Sequence, residues 1–165
     1  MKVNNSKKDF VVILHNIRSA YNVGSILRTA DAIGIKKIYL SGYTPSPLDT
    51  DKAYATKAQK MIAKTALGAE KSIRCQRARS LAGLFRKLKA EDYQIIALEQ
   101  DKKSVDYLYF KPIFPLALLL GNELDGVRSR FLKQCDAVIE IPMRGRKNSL
   151  NVAVAFGIAG YAITK

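Results

Sequence analysis

Ile141-Pro-Met-Arg-Gly-Arg-Lys-Asn-Ser-Leu-Asn-Val-Ala-Val-Ala-Phe-Gly-Ile-Ala-Gly-Tyr161 is the stretch whose reading decides the architecture. It opens as the end of a strand (Val138 to Ile141), breaks at Pro142, crosses a basic loop containing Gly145 and becomes a helix from Asn151 to Ala162. A strand end that feeds a polar loop and then a helix N-terminus is where open α/β proteins hold their ligands. Val152, Ala153, Val154, Ala155, Phe156, Ile158, Ala159 and Tyr161 leave that helix no polar face. It is therefore expected to be buried on several sides, one of them by a second subunit.

Working outward, Phe10–Leu14, Lys37–Ser41, Gln94–Leu98, Leu116–Leu120 and Ala137–Ile141 read as buried parallel strands, and Ser72–Gln76 as a short one. Between them lie helical patterns. The first runs from Val23 to about Ile33, with Asn22 as its cap and Gly34 as its stop. Others cover Thr56–Ala66, the segment capped by Ser80, and Asp125 or Gly126 to Cys135. Alternating strand and helix predicts a single α/β domain over residues 1–165, with a mostly parallel sheet, helices on both faces and a short basic tail at 1–9.

The 165 residues carry 28 Lys+Arg against 14 Asp+Glu, a net charge of +14. Such a surplus points to a polyanionic partner, nucleic acid before membrane. From Lys52 to Lys89 there are eleven basic residues and one acid, Glu70, the densest part of the positive field. Tyr43 and Tyr54 lie on or beside the loop before it, where they would either stack on a base or pack into the fold. Cys75, Cys135 and the single histidine, His15, have no metal-ligand spacing, so no metal is expected. Thiols read as reduced, the absence of an apolar signal core and the short apolar runs predict a cytoplasmic protein with no membrane partner.

Three strand-end segments carry polar groups beyond what local structure needs. In the first, Asn22 and Arg28 are six residues apart, so Arg28 can lie on roughly the face of Asn22. The pair reads either as a cap and a surface charge or, with Ile26, Leu27 and Ala30 around it, as a largely buried arginine in need of an acid, a phosphate or a backbone carbonyl. The second, Gly121-Asn-Glu-Leu-Asp-Gly126, allows close backbone approach but matches neither a dinucleotide fingerprint nor a P-loop. In the third, Ser149 and Asn151 both flank a helix start that needs one cap, and Arg144, Arg146 and Lys147 form a cationic rim.

Asn22-(x)5-Arg28, Gly121-Asn-Glu-Leu-Asp-Gly126 and Ile141-Pro-Met-(x)5-Ser149-Leu-Asn-Val resemble, in order and spacing, the three motifs of the SPOUT superfamily, specifically the SpoU/TrmH group of RNA 2′-O-ribose methyltransferases. The resemblance covers about Phe10 to Ala162. It implies a SPOUT fold with a C-terminal deep trefoil knot, an exception to the rule against threaded chains. It also implies a homodimer through helices near the knot, including 151–162, and S-adenosyl-L-methionine held largely by backbone groups. By that resemblance the cofactor contacts fall at Leu98, Glu99, Gly121, Ile141, Met143 and Leu150, and the catalytic positions at Arg28, Asn22, Glu123, Ser149 and Asn151. A guanidinium stays protonated, so Arg28 is expected to grip a phosphate and orient the 2′-hydroxyl, while Ser149 and Asn151 position the ribose or the arginine, and Glu123 orients loops. RNA contacts are expected at Arg18, Lys57, Lys60, Lys64, Arg144, Arg146 and Lys147, with recognition coming from this domain itself. The implied substrate is RNA, tRNA before ribosomal RNA; a SPOUT-like fold that binds RNA without methylating it is the rival reading.

Overall fold

The computed structural model describes residues 9–49 and 53–165; the basic tail before Asp9, and Lys52, lie outside the described residues. In chain order the elements are β1 (Phe10–His15), α1 (Ala20–Ala32), β2 (Lys37–Ser41), α2 (Lys57–Ala66), α3 (Ala69–Ser72), β3 (Arg74–Arg77), α4 (Leu81–Ala90), β4 (Gln94–Leu98), β5 (Val105–Asp106), β6 (Leu116–Leu120), α5 (Ser129–Leu132), β7 (Ala137–Glu140) and α6 (Val152–Thr164). The strands form one seven-stranded sheet in the order β3-β2-β1-β6-β4-β7-β5, parallel at every pairing.

The strands are apolar without alternation because both faces of the sheet are covered. Val12, Leu14, Ile38, Leu40, Ile96, Leu118 and Leu120 pack on one side with the buried residues of α1, α2, α3 and α6. Val11, Ile13, Tyr39, Ile95, Ala97, Ala117 and Leu119 pack on the other with α4 and with Phe131 of α5. The expected α/β class with helices on both faces is what forms. Cys75 packs against the first cluster and Cys135 against the second, both are free, and burial pushes each thiol up to about 12. Among the described residues no helix is long and apolar enough to cross a membrane.

Local chemistry explains where the sequence reading needs correcting. The cap of α1 is Ser19, whose hydroxyl accepts the Asn22 N–H at 3.3 Å, so the helix starts three residues early and Asn22 sits inside its first turn. The predicted helix between Asp125 and Cys135 shrinks to Ser129–Leu132, because Asn122 and Gly126 close the preceding segment into a bridged turn. Ser72 ends α3 rather than opening a strand, and β3 begins at Arg74. Thr56 caps α2 in a capping box with Gln59, and Ser80 caps α4 as expected. Helix α6 reaches Thr164, and in the single chain it is buried on one side only: Phe156, Ala159, Gly160 and Ile163 face the core, while Val154 is 52% and Tyr161 57% exposed.

Helices α1 and α2 touch at Gly24, where an added Cβ would lie 2.0 Å from Thr65 Oγ1 and 2.4 Å from the Ile62 carbonyl oxygen. The threonine can rotate; the carbonyl belongs to a helix and cannot. Gly24→Ala is expected to cost about 1–3 kcal/mol by forcing the two helices apart, measured as a lower urea midpoint at unchanged slope.

Candidate active site

Leu14 pairs with Leu120, Leu120 with Leu98 and Leu98 with Ile139, one register row across β1, β6, β4 and β7. The chain leaves all four strands at the same edge, so the segments after them meet there by construction. This is the carboxyl edge of a parallel sheet, at the crevice where such folds bind ligands.

Glu123 is the junction. Its Oε1 accepts from the Ser19 N–H (3.1 Å) and from Asn22 Nδ2 (3.0 Å), and its Oε2 accepts from the Arg18 N–H (3.0 Å). Burial alone would raise the pKa of this carboxyl. The N–H groups of Arg18, the Asn22 amide, Glu123 itself and Ser19 outweigh it and hold the group below the usual carboxylate range. Asn22 passes the connection on, since its Oδ1 accepts from Asn151 Nδ2 at 3.0 Å. Asn151 Oδ1 in turn accepts from Ala153 N (2.9 Å) and Val154 N (3.3 Å) and caps α6. The amide orientations follow from one another. A carboxylate only accepts and a helix N-terminus only donates, so each asparagine has a single consistent pose between them.

Beside this chain of bonds opens a cleft of about 570 Å³. All six residues expected to contact a cofactor line it: Leu98, Glu99, Gly121, Ile141, Met143 and Leu150. Glu123 and the exposed Ser149 line it too. Gly121 is packed so tightly that a Cβ would fall 2.6 Å from both the Gly126 carbonyl carbon and Val127 Cγ2. Glu99 secures the same turn from below, accepting from Gln100 N and Val127 N, both at 2.9 Å. The lining holds Glu99, Glu123, Asp125 and Glu140 and no lysine or arginine, in a chain with 28 of them. A site so composed favours a cationic, uncharged or backbone-recognised ligand over a phosphate. Among the described residues no cluster of His, Cys, Asp and Glu is arranged to hold a metal.

Arg28 stands apart. Six residues along a helix is a rotation of about 600°, roughly a third of a turn off the face of Asn22. The side chain is exposed, as the surface-charge reading has it and not as a largely buried arginine, and lines a second groove with Ser25, Thr29, Lys64, Thr65 and Tyr161. The basic region from Lys57 to Lys89 is likewise not one surface. Helix α2, with exposed Lys57, Lys60 and Lys64, packs on one face of the sheet, and α4 packs on the other. Arg77 donates to the Gly42 and Thr44 carbonyls at 3.0 and 2.5 Å, and Lys89 lies 3.8 Å from Asp136. Arg144, Arg146 and Lys147 are exposed on the loop that enters the cleft wall, whereas Arg18 meets the site through its main chain.

Residues not singled out from the sequence complete the assembly. Asn122 accepts from Leu124 N (2.7 Å) and Asp125 N (2.9 Å), and its amide donates to the Asn16 carbonyl (3.0 Å) and to the Tyr43 hydroxyl. An asparagine four residues before a turn glycine is the signal that could have found it. His15 bonds Ser41 Oγ at 2.7 Å through Nδ1 and Asn16 Nδ2 at 3.2 Å through Nε2, and Phe131 meets its ring edge-on. Burial, then Arg128 and Arg130, lower its pKa. His15 pairs with Ser41 only through the β1–β2 register, which no local pattern announces.

The family pattern described as the SpoU rRNA Methylase family matches residues 9–161. The tRNA (guanosine(18)-2′-O)-methyltransferase of Aquifex aeolicus is 32% identical over 94% of this chain and 68% of its own length. The 23S rRNA (guanosine-2′-O-)-methyltransferase RlmB of Salmonella typhi is also 32% identical, over 92% of this chain and 58% of its own. An AdoMet-bound rRNA methyltransferase from Sinorhizobium meliloti superposes with a TM-score of 0.82 at 31% identity, covering 93% of this chain and 55% of that one. The chain spans 57–59% of the length of three further relatives from staphylococci and Bacillus subtilis. With the pattern matched over nearly its whole length, and the fold shared with a relative at 31% identity, the chain belongs to the SpoU rRNA methylase family.

Proposed function

We propose that this protein transfers a methyl group from S-adenosyl-L-methionine to a ribose 2′-hydroxyl of RNA. The observation that carries the reading is the bonded chain Glu123–Asn22–Asn151 at the mouth of a cleft lined by all six expected cofactor contacts. The acidic lining suits a sulfonium and opposes the phosphates of NAD or ATP. When bound, the cofactor supplies an electrophilic methyl group. Leu98, Gly121, Ile141, Met143 and Leu150 would hold it through backbone groups and apolar contact, with Glu99 buttressing the 121–127 turn.

The residues of the chain then have positioning to do, since an in-line displacement needs its oxygen aligned before anything else. Glu123 already accepts three N–H bonds and is held ionised, which suits it to orient Asn22 and the first turn of α1 rather than to take a proton. Asn22 and Asn151, locked in pose, and Ser149, free on the rim, face the ribose. Arg144, Arg146 and Lys147 meet the RNA backbone beside the cleft. The relatives divide between tRNA and ribosomal RNA at equal identity; we take tRNA as the first substrate to assay and the cytoplasm as the setting. An RNA-binding role without methyl transfer is disfavoured by the intact bonded chain.

We further propose a homodimer through the α1–α6 face and a knotted C-terminal segment. The chain runs from edge strand β5 to β6 beyond β4, then returns to set β7 between β4 and β5, an order that threading would produce. Val154 and Tyr161 on α6 are the exposed apolar residues a second copy would cover. Arg28 shares its groove with Tyr161, so its grip on an RNA phosphate is proposed to serve the cleft of the partner copy.

Calorimetry is expected to detect S-adenosylmethionine and S-adenosylhomocysteine binding at submillimolar concentration and no binding of NAD or ATP; failure of both sulfur ligands would remove the basis of the reading. Arg28→Ala is expected to keep that binding and lose nearly all methyl transfer to RNA. Mixing it with an inactive Asn151→Ala chain should restore part of the activity, because one mixed site carries both lesions and the other carries none. Mixed dimers as inactive as their parents would put Arg28 to work within its own chain.

A further inference from the structure

Tyr43 is 58% exposed, yet it is among the most firmly anchored residues on the surface. Its main-chain N–H donates to Asn16 Oδ1 at 3.3 Å. The residue before it, Gly42, has φ +63° and leaves room for that same oxygen, which would lie 1.7 Å from any Cβ there. The residue after it, Thr44, is fully buried, accepts the Ile17 N–H at 3.0 Å and donates its own hydroxyl to the carbonyls of Ser41 (2.9 Å) and Leu14 (3.0 Å). Arg77 clamps both flanking carbonyls from β3. Finally, the phenolic hydroxyl accepts from Asn122 Nδ2, on the residue between Gly121 of the cleft wall and Glu123.

Ring edge and backbone are thus fixed from three separate elements, while the ring face has no aromatic or cationic neighbour among the described residues. For core packing this is the wrong arrangement, since more than half of the residue is left in water. It is the right one for a stacking surface, whose ordering entropy is already spent before a ligand arrives. Resting on the RNA reading above, we propose that Tyr43 is the stacking platform for an unpaired RNA base next to the ribose presented to the cleft, and so a determinant of specificity for unpaired RNA. A base inside a duplex has both faces occupied by its neighbours, whereas one in a loop offers a free face.

A rival role is structural: the hydroxyl would only brace Asn122 and its turn. Two variants separate the roles, Tyr43→Phe, which keeps the ring and loses the hydroxyl, and Tyr43→Leu, which keeps apolar bulk and loses the ring. The probe is a single-stranded uridine oligoribonucleotide carrying 2-aminopurine, whose fluorescence falls on stacking. Unaltered protein and Tyr43→Phe are expected to quench it. Tyr43→Leu should abolish the quenching and weaken binding by about ten-fold or more, with S-adenosylhomocysteine affinity unchanged. Equal losses in both variants, or full quenching by Tyr43→Leu, would overturn the platform. Absence of S-adenosylhomocysteine binding in the unaltered protein would instead strike the methyl-transfer reading, and the fluorescence arm would still decide the role of Tyr43.

Discussion

The site depends on one carboxylate accepting from main-chain groups that no helix or strand partner takes. The N–H groups of Arg18 and Ser19 precede α1 and lie outside its ladder, so without Glu123 they would need water or another acceptor. By taking them, Glu123 ties the turn after β6 to the start of α1. Through Asn22 it also reaches Asn151, the cap of α6, which lies 129 residues beyond Asn22 in sequence. Because the carboxylate also sits at the positive end of α1, ionisation and geometry reinforce each other. The amide rotamers of Asn22 and Asn151 are consequences of that charge.

Charge is also what separates the two halves of the surface. A chain with a net +14 places four acids around its cleft and no base, while exposed cations on α1, α2, α4 and the 144–147 loop lie outside that lining. A polyanion drawn to the exterior therefore meets a cleft that repels its phosphates. On the proposed function, Arg144, Arg146 and Lys147 would hold RNA at the rim without its backbone filling the cofactor space. The separation would keep two ligands of opposite preference in adjacent places.

Much of this was legible in the chain because the information is local. The buried strands were readable as apolar runs, and three of them, Lys37–Ser41, Gln94–Leu98 and Leu116–Leu120, have the bounds read from the sequence. The motif segments were readable because a parallel sheet brings the strand ends to one edge. What escaped was information carried by register or by rotation. Ser19 rather than Asn22 caps α1 because a carboxylate from a distant turn recruits Asn22, and propensity has no means of ranking that competition. Arg28 was expected beside Asn22 from a count of turns, but a third of a turn is enough to carry a side chain from a cleft into a different groove. The basic stretch read as one patch divides because α2 and α4, though close in sequence, cover opposite faces of the sheet.

Helix α6 joins these strands of reasoning. Its first turn is fixed by Asn151, which answers to Glu123 through Asn22, and its buried side is fixed by Phe156, Ala159, Gly160 and Ile163. Its other side leaves Val154 and Tyr161 in water, separated by seven residues and hence on one stripe two turns long. In the single chain the burial of α6 is one-sided, and the side left open runs along the stripe that borders Arg28. If a second copy covers that stripe, assembly and catalysis share a rigid body: whatever seats Tyr161 also sets the helix axis on which Asn151 is capped. Weakening the interface would then disturb the ribose side of the site without touching any residue that lines the cofactor cleft. On the proposed dimer, the arginine that stands away from the cleft of its own chain would be the one offered to the second chain.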